Sequence, residues 1–253
     1  MKTYQMRSRI KGKRRLSRLL NLFFPPTCVG CGRCLHPFAM PVQVFCEKCL
    51  PKFEASRLPL CVEKLPHDLP VEGILSPISL TAYKSHHTTG KAEQLIYHVK
   101  HKNDRRVFVY VAEQLSPHVS QALHRLGVPC GELLVTYPPR RPESKRKDGF
   151  DQAERLAYHL AKAIEGERVA LIERTSRRVV AQKKLNAKQR AESADASYVL
   201  AENAHKRVAG RVVLLVDDLC TTGATLTTCG KLLIEAGALL VVPVTIGKTV
   251  MDE

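Results

Sequence analysis

"VVLLVDDLCTTGATL", residues 212–226, decides how the rest of the chain is read. Five apolar residues run into two adjacent aspartates, Asp217 and Asp218, and a hydroxyl- and glycine-rich turn follows. An unbroken Val/Leu run has no polar face. It predicts a strand buried on both sides, as in a parallel sheet covered by helices. After the turn, "TLTTCGKLLIEAG" (225–237) reads as a helix that ends at Gly237. Helix N-termini expose unpaired N–H groups and a partial positive charge, and open α/β sheets bind ligands beyond the carboxyl ends of their strands.

The chemistry of this turn has two halves. Thr221, Thr222 and Thr225 offer hydroxyl donors, and Gly223, lacking a Cβ, lets the backbone approach an oxyanion. That half suits a phosphate monoester. Asp217 and Asp218 repel a phosphate. They suit vicinal hydroxyls, or a hydroxyl–Mg2+ ensemble. A sugar phosphate carrying a cis-diol satisfies both halves. The plainer alternative is a capped helix after a core strand. It leaves the doubled acid and the five-residue hydroxyl/glycine loop without a purpose.

Working outward, strand and helix patterns alternate. "ISLTAY" (78–83), "ELLVTY" (132–137), "RVALIERT" (168–175), "RVVLLVD" (211–217) and "LLVVPVTI" (239–246) read as strands. Residues 88–100, 104–125 and 151–164 read as helices, the last with Ala153, Leu156, Ala157, Leu160, Ala161 and Ile164 on one face. The expected architecture is α/β, a parallel sheet with helices on both faces. Three stretches then share one rim: "TYPPRR", "ERTSRRVV" and "DDLCTTGAT". The proline-rich "LPHDLPVEGILSP" marks a boundary before this body. We expect a basic amphipathic segment over residues 1–24, a small cysteine domain over 25–65 and the α/β domain over 66–253.

Nine cysteines, an odd number, include "CVGC" (28–31) and "CEKC" (46–49). Each C-x2-C turn brings two thiolates together as a tetrahedral zinc ion requires, and two such turns close a structural site. Cys28, Cys31, Cys46 and Cys49 are the expected ligands. A set using Cys34 in place of Cys28 is open, and His36 is a weaker substitute. Disulfides are the alternative; the odd count and the lack of a signal-peptide pattern speak against them. Gly30 and Gly32 ease the first turn. Cys61 stands alone, so one zinc is expected. Cys130, Cys220 and Cys229 read as small core or turn residues.

The chain of 253 residues has a net charge of +16, and residues 1–70 hold 13 basic against 4 acidic side chains. This asymmetry points to a polyanionic partner. Eight of the first twenty residues are Lys or Arg. Leu16, Leu19, Leu20, Phe23 and Phe24 follow at helical spacing, which predicts a short helix docked on the body. Arg18 and Asn21 interrupt the apolar part and no small-residue cleavage site follows, so a cytoplasmic protein is expected. No run of eighteen apolar residues occurs.

"VLLVDDLCTTGAT" resembles the phosphoribosyl-pyrophosphate (PRPP) motif of type I phosphoribosyltransferases. The order of a cysteine-pair ribbon, "LTAYKS", "YPPRRPESKRKDGFDQAERLA" and "RTSRRVVAQKKLNAKQRAES" is similar to the ComF family, competence-associated phosphoribosyltransferase-like proteins with zinc ribbons. The resemblance covers roughly residues 20–248. It implies a type I phosphoribosyltransferase fold behind a four-cysteine zinc ribbon. It implies Asp217 and Asp218 at the ribose hydroxyls, and Thr221, Thr222, Gly223, Ala224 and Thr225 around the 5′-phosphate. Tyr137 to Arg141 would form the pyrophosphate loop, with Arg140 and Arg141 as counter-ions. Residues 174–190 would form a hood whose Lys183 or Lys184 reaches pyrophosphate; Arg177 and Arg178 are weaker candidates. Mg2+ would accompany PRPP. Single-stranded DNA and competence-machinery proteins are the implied partners, in DNA uptake; a non-catalytic PRPP-sensing DNA-binding protein is the alternative. Two departures stand out. Asp148 replaces a cation before Gly149-Phe150, with Arg146 and Lys147 beside it. Thr221 stands where purine-using relatives carry an aspartate, which speaks against a purine acceptor.

Overall fold

The computed structural model describes residues 23–36, 43–59, 72–84, 90–128, 133–175 and 197–250. Its elements in chain order are α1 (Leu50–Glu54), β1 (Ile78–Tyr83), α2 (Lys91–His101), α3 (Arg105–Arg125), β2 (Leu134–Thr136), α4 (Pro142–Asp148) and α5 (Gln152–Ala163). They continue with β3 (Glu167–Arg168), β4 (Ile172–Arg174), β5 (Tyr198–Leu200), α6 (Ala204–Val208), β6 (Val212–Cys220), α7 (Ala224–Glu235) and β7 (Leu240–Thr249).

Five strands form one parallel sheet in the order β1-β7-β6-β2-β3. The register pairs Leu134 with Val213 and Val216 with Val244. Its strands read as continuous apolar runs because both faces are covered. Leu214 and Val216 of β6, Val135 of β2 and Val242 and Val244 of β7 pack with α2, α3 and α5, through Leu95, Ile96, Phe108, Leu115, Leu156 and Leu160. Val213 and Leu215 of β6, Leu134 and Val241 face the other way, toward Leu226, Cys229 and Leu233 of α7 and Val208 of α6. Each such side chain, fully buried, contributes about 1.5–3 kcal/mol relative to exposure.

The acids do not interrupt the central strand. β6 runs through Asp217 and Asp218 to Cys220, further than the expected end at 217. The ladder to β7 continues there, with Asp217 opposite Thr245 and Cys220 opposite Lys248. The expected strand over 168–175 divides instead. Glu167–Arg168 joins the sheet edge, and Ile172–Arg174 leaves it to pair antiparallel with Tyr198–Leu200. Only Leu171 and Ile172 of this stretch are buried apolar residues, too few for a strand covered on both faces.

"DGFDQ" (148–152) connects two helices, and each residue has a task. Gly149, at φ +77°, ends α4 in the left-handed region. Phe150 turns into the core, edge-on to Phe108 at 6.1 Å between ring centres. Asp151 caps α5, accepting from the N–H groups of Ala153 and Glu154.

The cysteine ribbon shares the core of the sheet. Phe45 stacks on Phe53 at 4.7 Å, and both rings meet Tyr110 of α3 at 6.2 and 6.3 Å. Main-chain bonds from Leu58 to Leu80 and from Ala82 to Ser56 tie the segment after α1 to β1. Arg106 donates to the carbonyls of Gln43 and Thr27 at 3.1 and 3.0 Å. Phe23 and Phe24 are 79% and 76% exposed and do not dock on the body as expected; Leu16, Leu19 and Leu20 lie outside the described residues. No described helix is long and apolar enough to cross a membrane.

Candidate functional site

β6 carries Asp217 and Asp218 out of the core and stops at Cys220. The chain then bends through 221–223 into α7. Gly223 occupies the N-cap at φ +76°, a conformation costly for any residue with a Cβ. A glycine N-cap supplies no side-chain acceptor. The only described cap is a 3.4 Å contact from the Ala224 N–H to Thr222 Oγ1. The first-turn N–H groups after Ala224 have no described capping partner. Thr221, Thr222 and Ala224 are exposed, and Thr225 is half-buried. The turn that the sequence singled out is open, donor-rich and preceded by two acids.

The acid pair is held asymmetrically. Asp218 is buried, and its Oδ2 accepts from Gln152 Nε2 at 3.1 Å. Lys100 Nζ, from the last turn of α2, lies 3.9 Å from the same oxygen. Asp217 Oδ1 accepts from the Asp218 N–H at 2.8 Å. Burial and the neighbouring Asp218 charge push the Asp217 carboxyl well above the usual carboxylate range, with Lys100 pulling the other way. Lys100 is absent from the sequence motif: no spacing rule links a helix residue at 100 to a strand end at 218. Gln152 sits in the "GFDQ" stretch, whose role becomes readable only when its amide is seen on Asp218.

The 137–141 loop lies beside this pair. Tyr137 is buried, and burial and Glu154 raise its phenol. Its side chain belongs to the core; its backbone belongs to the loop. Arg140 is largely buried and fully engaged. Its Nη2 pairs with Asp148 Oδ2 at 2.6 Å, its Nη1 donates to the Lys100 carbonyl at 3.3 Å, and its backbone N–H donates to Asp151 Oδ2 at 2.8 Å. Asp148 also faces His101 Nδ1 at 3.6 Å. Asp148 thus neutralises the arginine beside it. Arg141 is exposed at the start of α4, and Arg146 pairs with Glu143 at 3.8 Å rather than with the site. Arg174 of β4 donates to Tyr198 Oη at 2.8 Å and to the Pro139 carbonyl at 3.5 Å, which fastens the β4–β5 pair to this loop. Lys183, Lys184, Arg177 and Arg178 lie outside the described residues.

A second cluster lies in the ribbon. The sulfurs of Cys28, Cys31, Cys46 and Cys49 are all within 4.8 Å of one another, with Cys31 and Cys46 at 3.6 Å. A zinc ion with Zn–S bonds of about 2.3 Å needs sulfurs about 3.8 Å apart, so the set fits a tetrahedral metal. The Cys46 N–H donates to Cys28 Sγ at 3.2 Å, as thiolate ligands accept from their knuckle amides. Burial opposes ionisation of Cys46, but the amides of Cys49 and Lys48 and the adjoining thiols bring it down to about 6; burial and the same sulfurs push Cys49 up to about 12. Cys34 is exposed and outside the cluster, whose fourth member is Cys28. Gly30 is required here: a Cβ would stand 2.9 Å from Lys91 Cδ and 3.1 Å from Cys49 Sγ. Cys220 and Cys229 are buried core residues, as expected; Cys61 and Cys130 lie outside the described residues.

No curated protein is significantly similar to the chain. Among solved structures, one similar chain is described as the allosteric regulatory enzyme of purine biosynthesis, at 16% identity and a TM-score of 0.37, covering 59% of this chain and 30% of that one. Another, from Thermus thermophilus, has 17% identity and a TM-score of 0.33, covering 59% of this chain and 84% of its own. The chain therefore spans less than a third of the first enzyme's length. Residues 147–247, from the end of α4 through the acid pair to β7, match the phosphoribosyl transferase domain; this segment lies within an α/β parallel-sheet fold that has a cysteine cluster ahead of it.

Proposed function

We propose that the protein binds PRPP at the carboxyl end of β6 and transfers its phosphoribosyl group to an acceptor nucleophile. The observation that carries this reading is the junction of a buried strand bearing Asp217 and Asp218 with a helix whose N-cap is a left-handed glycine. Residues 221–225 would receive the 5′-phosphate through amides and hydroxyls. Asp217 and Asp218 would accept from the ribose 2′- and 3′-hydroxyls, Asp218 being held in place by Gln152. The 137–141 loop would face the pyrophosphate. Lys183 or Lys184 would approach it from the 174–190 segment.

In the reaction the C1–O bond to pyrophosphate breaks and its electron pair leaves with the pyrophosphate. The acceptor's lone pair forms the new bond to C1, and the acceptor's proton passes to solvent. The sugar passes through an oxocarbenium-like state, so positioning and electrostatics supply most of the rate. When bound, Mg2+ supplies charge neutralisation on the pyrophosphate oxygens; the hard carboxylate and hydroxyl oxygens of this rim suit that partner. In the ribbon, Cys28, Cys31, Cys46 and Cys49 would hold zinc as a structural ion.

The motif order of the ComF family supports a role in competence and DNA uptake, with the basic N-terminal segment meeting single-stranded DNA. Thr221 favours an acceptor other than a purine base. Calorimetry with PRPP and Mg2+ tests the core of the proposal. Wild type should bind, and the Asp217→Asn/Asp218→Asn double variant should lose about 100-fold or more in affinity, since two charge-assisted bonds go. Equal binding by the two proteins would sink the reading.

A further inference from the structure

Arg140 is the cation that the motif order offers to pyrophosphate, yet it is engaged on every side. Its side chain is 14% exposed, and its guanidinium lies 2.6 Å from Asp148 and also donates to the Lys100 carbonyl. A guanidinium already matched to a carboxylate at that distance has little charge left for a ligand. Lys100 presents the opposite case. It ends α2 one residue before His101, its side chain is 33% exposed, and its one described ion pair is the loose 3.9 Å approach to Asp218 Oδ2. Its carbonyl meets Arg140, so the ammonium leaves the backbone beside the 137–141 loop and ends beside the acid pair. Arg174 is committed to Tyr198 and Pro139, and Lys248 is exposed on β7, on the side of β6 away from β2 and its loop, opposite Cys220.

In PRPP the pyrophosphate sits on C1, next to the carbon bearing the 2′-hydroxyl. A cation between the acids that would take the diol and the loop that would face the pyrophosphate therefore stands at the leaving group. We propose that Lys100, rather than Arg140, is the cation that α2 and the 137–141 loop present to the pyrophosphate of PRPP. The inference rests on the proposed PRPP reading. On ligand entry the ammonium exchanges its long contact with Asp218 for the pyrophosphate oxygens, and the ribose hydroxyls take its place on the carboxylate. The resting contact also offsets the repulsion between two adjacent carboxylates.

α2 holds Lys100 in position from its other end. Lys91 Nζ donates to the Gly30 carbonyl of the first cysteine turn at 2.7 Å and to Gln94 Oε1 at 2.9 Å. Leu95, Ile96 and Val99 are buried between, which fixes the rotation of the helix.

The test compares three probes on the full chain by calorimetry: PRPP with Mg2+, pyrophosphate with Mg2+, and ribose 5-phosphate. Lys100→Met should weaken PRPP and pyrophosphate binding about 10- to 100-fold, the usual range for one charged hydrogen-bonding contact, and leave ribose 5-phosphate within about threefold. Lys100→Arg should restore most of the loss. Circular dichroism should show both variants folded as wild type; a Lys100→Met protein that fails to fold, while Lys100→Arg folds and binds, would assign Lys100 a structural task and overturn the proposal. Unchanged PRPP binding by a folded Lys100→Met overturns it, as does an equal loss for all three probes, which would make Lys100 a support of the acid pair alone. Wild type that fails to bind PRPP overturns the proposed function, and this inference with it.

Discussion

The cysteine ribbon and the acid-pair turn are both short motifs, but they specify their chemistry in different ways. In the ribbon, the spacing of Cys28, Cys31, Cys46 and Cys49 already implies the donor set, and the four sulfurs converge within 4.8 Å. All four ligands lie within 22 residues of sequence and every donor is of one kind. In the turn, the motif supplies the acids and the open helix N-terminus that the proposed reading assigns to a phosphate. The groups that hold and balance those acids come from α2 and α5, Lys100 and Gln152. A closed metal site is nearly self-sufficient in sequence; an open substrate site is completed by its neighbours.

The largest expected effect breaks the ribbon and asks whether the sheet notices. On the proposed zinc reading, a chelator, or replacing Cys49 by Ser, should cost several kcal/mol, since a structural zinc contributes folding free energy outright. Phe45, Phe53 and Tyr110 join the ribbon to the core that also contains α3, so a single cooperative melt at lower temperature is expected. The chain has no tryptophan, so circular dichroism is the suitable probe. Two separated transitions would show that the ribbon folds apart from the sheet.

A smaller effect is expected at the bridge between the two regions. Asp104 caps α3 and pairs with Arg106, which in turn holds the ribbon carbonyls of Gln43 and Thr27. Burial opposes its ionisation, but His98 and Arg106 outweigh it and hold the carboxyl near 2. The folded value is depressed. Its stabilisation is therefore present above the unfolded value near 4 and is lost as pH falls toward 2. Asp104→Asn should cost about 1–2 kcal/mol at neutral pH after allowance for its partial exposure, and nothing below about pH 2. Denaturant titrations of both proteins across that range measure it. A constant difference would show that the cap, not the charge, matters.

The smallest effect sharpens the contrast at the turn. Asp217 has a raised value, so its ionised form disfavours the fold at neutral pH, and this cost fades as pH falls. Asp217→Asn should raise stability by about 1 kcal/mol at neutral pH while PRPP binding falls. A destabilised variant would show that the Asp217 carboxylate has a structural partner in the unliganded protein.

Much of this was legible beforehand. The apolar runs at 212–216 and 240–244 gave their strands away because a parallel sheet covered on both faces leaves no polar side. Residues 168–175 misled because the charged Glu173 and Arg174 lie in the same stretch as Leu171 and Ile172; the chain follows its polar residues off the sheet. The "GFDQ" stretch was visible as a pattern but mute as to cause. Only the bend at Gly149, the capping Asp151 and the Gln152 amide on Asp218 show why those residues stand together.

By itself the sequence determined the α/β class, the cysteine cluster and the acid-pair turn at the end of the central strand, because each depends on residues close along the chain or on simple periodicity. Tertiary structure alone decided which cations stand beside the acid pair and which are matched elsewhere. The long-range contacts that pair Arg140 with Asp148 and bring Lys100 toward Asp218 are set by how helices pack on the sheet. The energy of a charge interaction depends on the separation and on the local dielectric, so the availability of each group rests on distances and burial that no linear spacing encodes.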